Sequence, residues 1–172
     1  MWSDSMATEG WALYAEALMA EPQSHRPDGF YTPEERLYML QSKLLRDLRV
    51  RVDIGIHIGK LKYNEAVNFI SANLDFLPGS CQDATGGTDQ RKKVSCAAAE
   101  RAVLRYSQMP TQAVTYRLGK DEILALRRES EQFLGDRFSP QAFHLLLLKQ
   151  GTIPASYFKD EFLREIQATA RP

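Results

Sequence analysis

Arg49, Asp53 and His57 recur at every fourth position of the stretch "RVRVDIGIH", and their side chains could do acid–base chemistry. On a helix this spacing places them along one stripe. An aspartate four residues before a histidine can accept an imidazole N–H, and so fix which ring nitrogen is available to a metal, a substrate or a proton. The same stripe is more often a surface ladder of ion pairs, each of which stabilises the helix only slightly.

A second candidate is Glu9, which stands directly before Gly10 in "TEGWALYAEALMAE". Helical spacing puts Glu9 on one face with Ala12, Leu13 and Glu16. A carboxylate near the start of a helix is usually a solvated partner of the helix dipole. Spacing alone therefore favours that ordinary role over metal binding.

Gln112 and Tyr116 form a third pair at helical spacing, just after Pro110. A phenol beside a polarised carbonyl can donate a hydrogen bond to the oxyanion that forms during amide hydrolysis. A tyrosine packed against a helix neighbour is commoner. Of the other histidines, His25 in "SHRPDG" is expected to be solvated, and His144 in "AFHLLLL" to be packed or half-buried.

The remaining composition narrows the function classes. The chain has 22 Lys and Arg and 22 Asp and Glu among its 172 residues, so neither nucleic acid nor an anionic membrane surface is favoured as a partner. There is no H-E-x-x-H, C-x-x-C, G-x-S-x-G or phosphate-binding glycine loop. The N-terminus does not resemble a signal peptide, and apolar runs such as Leu145 to Leu148 are far below the roughly 20 residues of a membrane span. We expect a soluble chain, with a cytoplasmic location favoured.

The sequence contains many helix-start and helix-stop signals and few strand signals. Thr32 is predicted to cap a long helix that runs to Gly59, with Pro33 at its first position. A shorter helix fits "YNEAVNFISANL", and an irregular stretch then lasts until Ser95, which is predicted to cap a helix beginning near Cys96.

The second half of the chain repeats this pattern three times. One helix follows Pro110 and stops at Gly135, the next is capped by Ser139, and the last follows Pro154. No alternating strand, hairpin dipeptide or fixed-period repeat is present. The sequence therefore predicts an all-α fold of about seven helices, forming a single helical domain over residues 1–172.

Cys81 and Cys96 flank the polar stretch "QDATGGTDQRKKVS". Two reduced thiols are the favoured interpretation, and a disulfide is the alternative. A bridge would remove about 3 kcal/mol of loop entropy from the unfolded state.

Several stretches together resemble the C-terminal half of a bacterial family known as domain of unknown function 885, whose members are similar to helical zinc metallopeptidases. The resemblance runs in order from Glu9 to about Phe162, and "EGWALYAE" is its most specific stretch. The matching stretches are "EGWALYAE", "RVRVDIGIH", "RYSQMPTQAVTYRLG", "LR" at 126–127, "LGDRFSPQAFH" and "GTIP".

This resemblance assigns roles that spacing does not. It makes Glu9 a candidate zinc ligand, and it makes His57, oriented by Asp53, and Tyr116 candidates for contacting the substrate or the tetrahedral intermediate. In such an enzyme zinc polarises the scissile carbonyl and lowers the pKa of its bound water. Four further positions are implied in supporting roles: Arg49, Arg105, Tyr106 and Gln112.

The chain departs from the family pattern in ways that bear on activity. The upstream histidines and the base glutamate are absent, whereas a catalytic zinc normally has three protein ligands. Thr111 stands where the family is expected to have a glycine, and Ile54 where a threonine is usual. The resemblance therefore implies the C-terminal part of a zinc-dependent peptidase, either a truncated gene product or an excised fragment. We expect it to be inactive alone, with zinc and a peptide-like substrate bound only by a complete member.

The alternative is a non-enzymatic helical interaction module that self-associates or binds a partner chain. If another part of the protein normally covers the first helix and the Asp53/His57 face, apolar surface around Trp11, Leu13 and Leu18 should be exposed and should attract a partner.

Overall fold

The computed structural model describes residues 4–23, 25–81 and 88–169, and these residues form an all-α structure. Their only β-type pairing is an isolated bridge between Gln23 and Arg26. The seven α-helices are α1 (Ser5–Met19), α2 (Pro33–His57), α3 (Tyr63–Leu74), α4 (Gln90–Gln108), α5 (Gln112–Leu134), α6 (Pro140–Lys149) and α7 (Ala155–Thr169), with a short 3-10 helix at Gly135–Arg137. The predicted fold class is thus confirmed.

Most predicted helix ends are also confirmed. Thr32 and Glu35 form a capping box at the start of α2: the Glu35 amide donates to Thr32 Oγ1 at 3.2 Å, and the Thr32 amide donates to Glu35 Oε2 at 2.8 Å. Ser139 Oγ accepts from the Ala142 amide at 3.3 Å and caps α6. After α2 and α6 the chain reverses at Gly59 and Gly151, whose φ angles of 70° and 72° favour a residue without a Cβ.

The predicted start of α4 is wrong. The helix begins at Gln90, where Asp89 caps it by accepting from the Arg91 amide at 2.9 Å. Ser95 lies inside α4 and is buried. Its Oγ lies 2.6 Å from Ser71 Oγ and donates to Asp75 Oδ2 at 2.6 Å, so its hydroxyl joins α4 to the end of α3. A serine satisfied by tertiary contacts gives the same sequence signal as an N-cap.

The preference for reduced cysteines is also wrong in the structure, because Cys81 and Cys96 form a disulfide. Their Cα atoms are 5.3 Å apart, within the usual range for a bridge. Because α4 begins at Gln90, Cys96 lies in the second turn of the helix rather than at its first residue.

The described residues group into two compact units. The central unit comprises residues 20–114, and the terminal unit comprises the segments before residue 20 and after residue 114. The prediction of one domain over the whole chain stays a prediction. The core of the central unit is built by α2, α3 and α4 together with the start of α5; its buried apolar residues are Val52, Ala66, Val67, Ile70, Ala99, Val103, Tyr106 and Ala113.

The terminal unit has a second, more aromatic core. Phe143 is fully buried on α6 and packs edge-to-face against Phe162 of α7, with ring centroids 5.4 Å apart. Tyr14 of α1 is equally buried in the same cluster. Leu13 is buried, and Trp11 and Leu18 are partly buried against this core. The expected exposed patch around Trp11, Leu13 and Leu18 is therefore wrong, because the terminal unit covers most of that face itself.

No helix among the described residues has the length and apolar character needed to cross a bilayer.

Candidate functional site

The carboxylate of Asp53 is the centre of the polar site in the central unit. Asp53 lies on α2 and is 1% exposed, and it is the only buried Asp, Glu, His, Lys or Arg among the residues that the structure describes. A buried carboxylate is costly unless it is hydrogen-bonded, so its partners determine why it is tolerated.

Two of those partners are backbone amides at the start of α5. The Thr111 amide donates to Asp53 Oδ1 at 3.2 Å, and the Ala113 amide donates to Asp53 Oδ2 at 3.3 Å. These N–H groups have no acceptor within their own helix, and the helix dipole adds positive potential at this end. Asp53 therefore acts as an N-terminal cap for α5, supplied from α2.

His57 is the third partner of Asp53. Its Nδ1 lies 2.9 Å from Asp53 Oδ1 and 2.8 Å from the Asp53 carbonyl oxygen, one helical turn earlier. The pKa of His57 is raised above its ordinary value of 6.5, chiefly by the hydrogen bond to the Asp53 carbonyl and also by the Asp53 carboxylate. The ring is partly exposed, and because Nδ1 faces Asp53, Nε2 is the nitrogen that a ligand would meet.

Arg49 and Tyr106 lie next to this pair. Tyr106 of α4 is buried, and burial raises its pKa above 10.0, while the Arg49 charge and hydrogen bond act in the opposite direction. The Asp53 charge is also felt at this phenol and raises its pKa. The structure therefore brings together Arg49, Asp53, His57 and Tyr106, and the phenol stays protonated at neutral pH.

The remaining predicted site residues lie on α1, α4 and α5. Arg105 is exposed in the last turn of α4, where its charge lowers the pKa of the neighbouring Tyr106. Gln112 is the first residue of α5, partly buried and one position before Ala113. Glu9 and Tyr116 belong to the terminal unit, on α1 and α5 respectively, and both are partly buried. A hollow shared by Glu9 and His57 stays a prediction.

The terminal unit contains a polar network that sequence reasoning missed. The buried Tyr14 hydroxyl lies 2.7 Å from His144 Nε2 and accepts from Arg127 Nη1 at 3.2 Å. Arg127 Nε also donates to Glu131 Oε1 at 2.9 Å. His144 is half-buried, as expected, and packs edge-on against Phe143. The signal available in the sequence was the pairing of Arg127 and Glu131 at helical spacing; the link to Tyr14 spans 113 positions and leaves no local pattern.

Among the described residues no group of three or more His, Cys, Asp or Glu side chains is placed to hold a metal ion. Glu9 is a single carboxylate, and the Asp53 oxygens are engaged by His57 and two backbone amides. The residues present therefore do not by themselves fit a catalytic zinc site, which takes three protein ligands.

A known family profile matches most of the sequence of this all-helical chain. The profile of the family described as "Bacterial protein of unknown function (DUF885)" matches residues 1–86 and 82–161. The chain belongs to this family, whose function is unknown.

One similar solved structure carries the description "The crystal structure of the putative lipoprotein from Colwellia psychrerythraea". It shares 29% sequence identity with this chain, at a TM-score of 0.65. The match covers 96% of this chain and 24% of that chain, so these residues span about a quarter of that protein's length. No curated protein matches the chain.

Proposed function

We propose that this chain supplies a histidine–carboxylate pair to the hydrolytic site of a peptidase-like DUF885 protein. The observation that carries the proposal is the 2.9 Å contact between His57 Nδ1 and the buried Asp53 carboxylate. Asp53 is held by α5, so it fixes the orientation of the imidazole ring through Nδ1 and leaves Nε2 as the nitrogen for a substrate. In a hydrolase such a ring acts on the substrate through Nε2.

The charge state of His57 favours one role over another. Its raised pKa increases the imidazolium fraction near neutral pH, which suits donation of a proton or hydrogen bond better than general-base catalysis. Donation to a developing oxyanion stabilises the tetrahedral intermediate of amide hydrolysis. Tyr116, whose phenol can donate in the same way, is proposed as a second group at that oxyanion, with Arg49, Tyr106, Arg105 and Gln112 as supporting residues.

Glu9 is proposed as one zinc ligand of the complete site. A bound zinc would supply Lewis-acid activation there, but one carboxylate does not meet the three-ligand requirement. The other ligands must then come from outside these 172 residues, as in the longer family protein that the resemblance implies. The chain alone is accordingly expected to lack tightly held zinc and peptidase activity.

Two measurements test this proposal. In the first, the purified chain is incubated with zinc, dialysed and assayed by elemental analysis and with a fluorogenic peptide. We expect zinc well below one ion per chain and no hydrolysis above buffer. Stoichiometric zinc together with peptide hydrolysis would overturn the incomplete-site proposal.

The second measurement tests the role of His57 directly. Dimethylphosphinate is a small tetrahedral anion that imitates the charge of the intermediate without needing a complete peptide site, so it should shift the NMR signals of the His57 ring. His57→Gln should abolish binding, and the matched variant His25→Gln should retain it. If a millimolar excess of the phosphinate leaves the His57 ring signals unchanged, the hydrolytic role is wrong.

A second candidate function is an interaction module, and the N-terminal half of α2 favours it. Leu37 and Leu40 are 66% and 49% exposed and lie one turn apart on the same face of α2, and the adjacent Tyr38 is 70% exposed. An exposed helical stripe of this kind pairs with another helix, either in a second copy or in a partner chain. Light scattering should then show concentration-dependent association that Leu37→Glu weakens, and a monomer at all concentrations would exclude self-association.

A further inference from the structure

A cavity of about 240 Å³ lies within the terminal unit, and none of the residues proposed for hydrolysis lines it. It is enclosed by α1, α5, α6, the turn at residues 151–153, and α7. Its apolar walls include Met6, Trp11, Ile123, Leu147, Leu148 and Phe158. An apolar cavity of about 150 Å³ is enough to bind benzene, so this one can hold an aromatic ring with a short extension.

The cavity has a buried floor and an accessible mouth. Ile123 and Leu147 are buried core residues at its floor. Leu148 is 56% exposed and Ile153 is 42% exposed, so these two side chains border the opening to solvent. Two of its lining residues, Ala7 and Gly119, have little or no side chain to fill the space. A ligand can therefore enter without unfolding the unit.

One carboxylate stands in this apolar lining. Glu122 of α5 accepts a hydrogen bond through Oε2 from the Ser156 amide, at 3.3 Å, in the first turn of α7. Neither a hydrogen bond to its Oε1 nor an ion pair with a Lys or Arg is present within the part of the chain that the structure describes. The neighbouring carboxylate on α5, Glu129, is instead paired with Lys159 at 2.6 Å. Glu122 thus offers an unused acceptor with a negative charge beside an apolar space.

These features together define a ligand chemistry. Apolar walls favour a hydrocarbon group in proportion to the area they remove from water. A partly buried carboxylate favours a hydrogen-bonding cation more strongly than it would in open solvent. We propose that this cavity binds an apolar primary amine, with the hydrocarbon group inside and the ammonium on Glu122. The proposal does not depend on the hydrolytic function.

Phenylalanine amide is the probe, since it joins a phenyl ring to an ammonium group. Trp11 lines the cavity, so its indole N–H signal in a Trp2→Phe background reports occupancy by NMR. We expect binding with a dissociation constant on the order of 1 mM. N-acetylphenylalanine amide keeps the ring without the charge and should bind roughly fivefold to tenfold more weakly. Glycinamide keeps the charge without the ring and should not bind detectably.

Two substitutions separate the charge from the cavity. Glu122→Gln keeps an acceptor for the Ser156 amide and should remove the preference for the amine over its acetylated form. Glu129→Gln makes the same charge change on the same helix outside this cavity and should leave the preference intact. Leu148→Trp should block the opening and abolish binding of both probes, and its exposed position keeps folding unaffected.

These measurements give clear outcomes for and against the amine site. Absence of any shift of the Trp11 signal at tens of millimolar phenylalanine amide would overturn the proposal, as would equal affinity for the amine and its acetylated form. A tripeptide, Phe-Ala-Ala amide, distinguishes the source of the amine: retained affinity indicates a peptide N-terminus, and lost affinity a free small amine. None of these readouts involves zinc, His57 or peptide hydrolysis, so a failure here leaves the hydrolytic proposal to its own tests.

Discussion

Gly10 and Gly119 lie so close that neither position has room for a side chain. A Cβ on Gly10 would stand 2.5 Å from the Gly119 carbonyl carbon, and a Cβ on Gly119 would stand 2.9 Å from the Gly10 Cα. Helices α1 and α5 therefore cross in backbone contact within the terminal unit. The glycine of "EGWALYAE" is a packing residue, and the close crossing fixes the helix that carries Glu9.

Gly10→Ala should destabilise the chain by about 2 kcal/mol, because the added methyl group meets backbone that cannot rotate away. Helix propensity alone predicts the opposite sign, a gain of about 1 kcal/mol. The free energy of unfolding from urea titration decides between them. Ala12→Gly, at an exposed position of the same helix, is the control and should cost about 1 kcal/mol through propensity. A Gly10→Ala variant as stable as the parent would show that the helices can move apart.

Thr111→Gly should stabilise the chain by about 1 kcal/mol. Thr111 has a φ of 68°, a left-handed conformation that is unfavourable for a β-branched residue. Glycine adopts this conformation without strain and keeps the amide that donates to Asp53. The melting temperature should therefore rise, whereas Leu118→Gly in the regular part of α5 should lower it. A fall in the Thr111→Gly variant would mean that the threonine side chain makes a compensating contact.

The departure from the family pattern at Thr111 could be read from the sequence, but its structural cost could not. The stretch "RYSQMPTQAVTYRLG" places Thr111 where a glycine is expected. The positive φ of Thr111 in the structure gives the physical reason for a glycine at this position. Helix ends such as Thr32 and Ser139 were predictable because a cap is a local interaction. Ser95 was misassigned because its partners, Ser71 and Asp75, lie 24 and 20 positions away.

Part of the candidate site was likewise predictable from the sequence, and part of it was not. The alignment of Asp53 and His57 follows from helical spacing, so the pair was predictable. The role of Asp53 as a cap for α5 was not, since it depends on amides 58 and 60 positions later. Pairing at that distance is decided by the packing of the central unit rather than by any local pattern.

Asp53→Asn should cost about 2 kcal/mol of unfolding free energy. The amide side chain has one acceptor instead of two, so it cannot satisfy both α5 amides and His57. Asp47→Asn is the matched control, because Asp47 is a more exposed carboxylate on the same helix, paired with Lys43 at 3.4 Å. Its loss should change stability by about 0.5 kcal/mol or less. Similar effects of the two substitutions would contradict the capping role of Asp53.

Reducing the Cys81–Cys96 disulfide should lower the unfolding free energy by about 3 kcal/mol, because the bridge closes a loop with a sequence separation of 15. Urea titrations with and without dithiothreitol measure the difference. A Cys81→Ser, Cys96→Ser double variant should match the reduced chain and should not respond to the reductant. If the reductant leaves the parent unchanged, the bridge does not form in solution.

His57 should make stability depend on pH in a defined direction. Its folded-state pKa lies above the ordinary 6.5, so the protonated ring stabilises the fold. That contribution is complete below about pH 6.5 and is lost as the pH rises through the folded-state pKa. The difference in melting temperature between the parent and His57→Gln should therefore be larger near about pH 5.5 than near about pH 8.5. NMR titration of the ring should give a pKa above 6.5 that falls in Asp53→Asn, since that substitution removes the carboxylate at Nδ1. A measured pKa at or below 6.5 would mean that Asp53 does not hold the ring in solution, and the proton-donating role proposed for His57 would lose its basis.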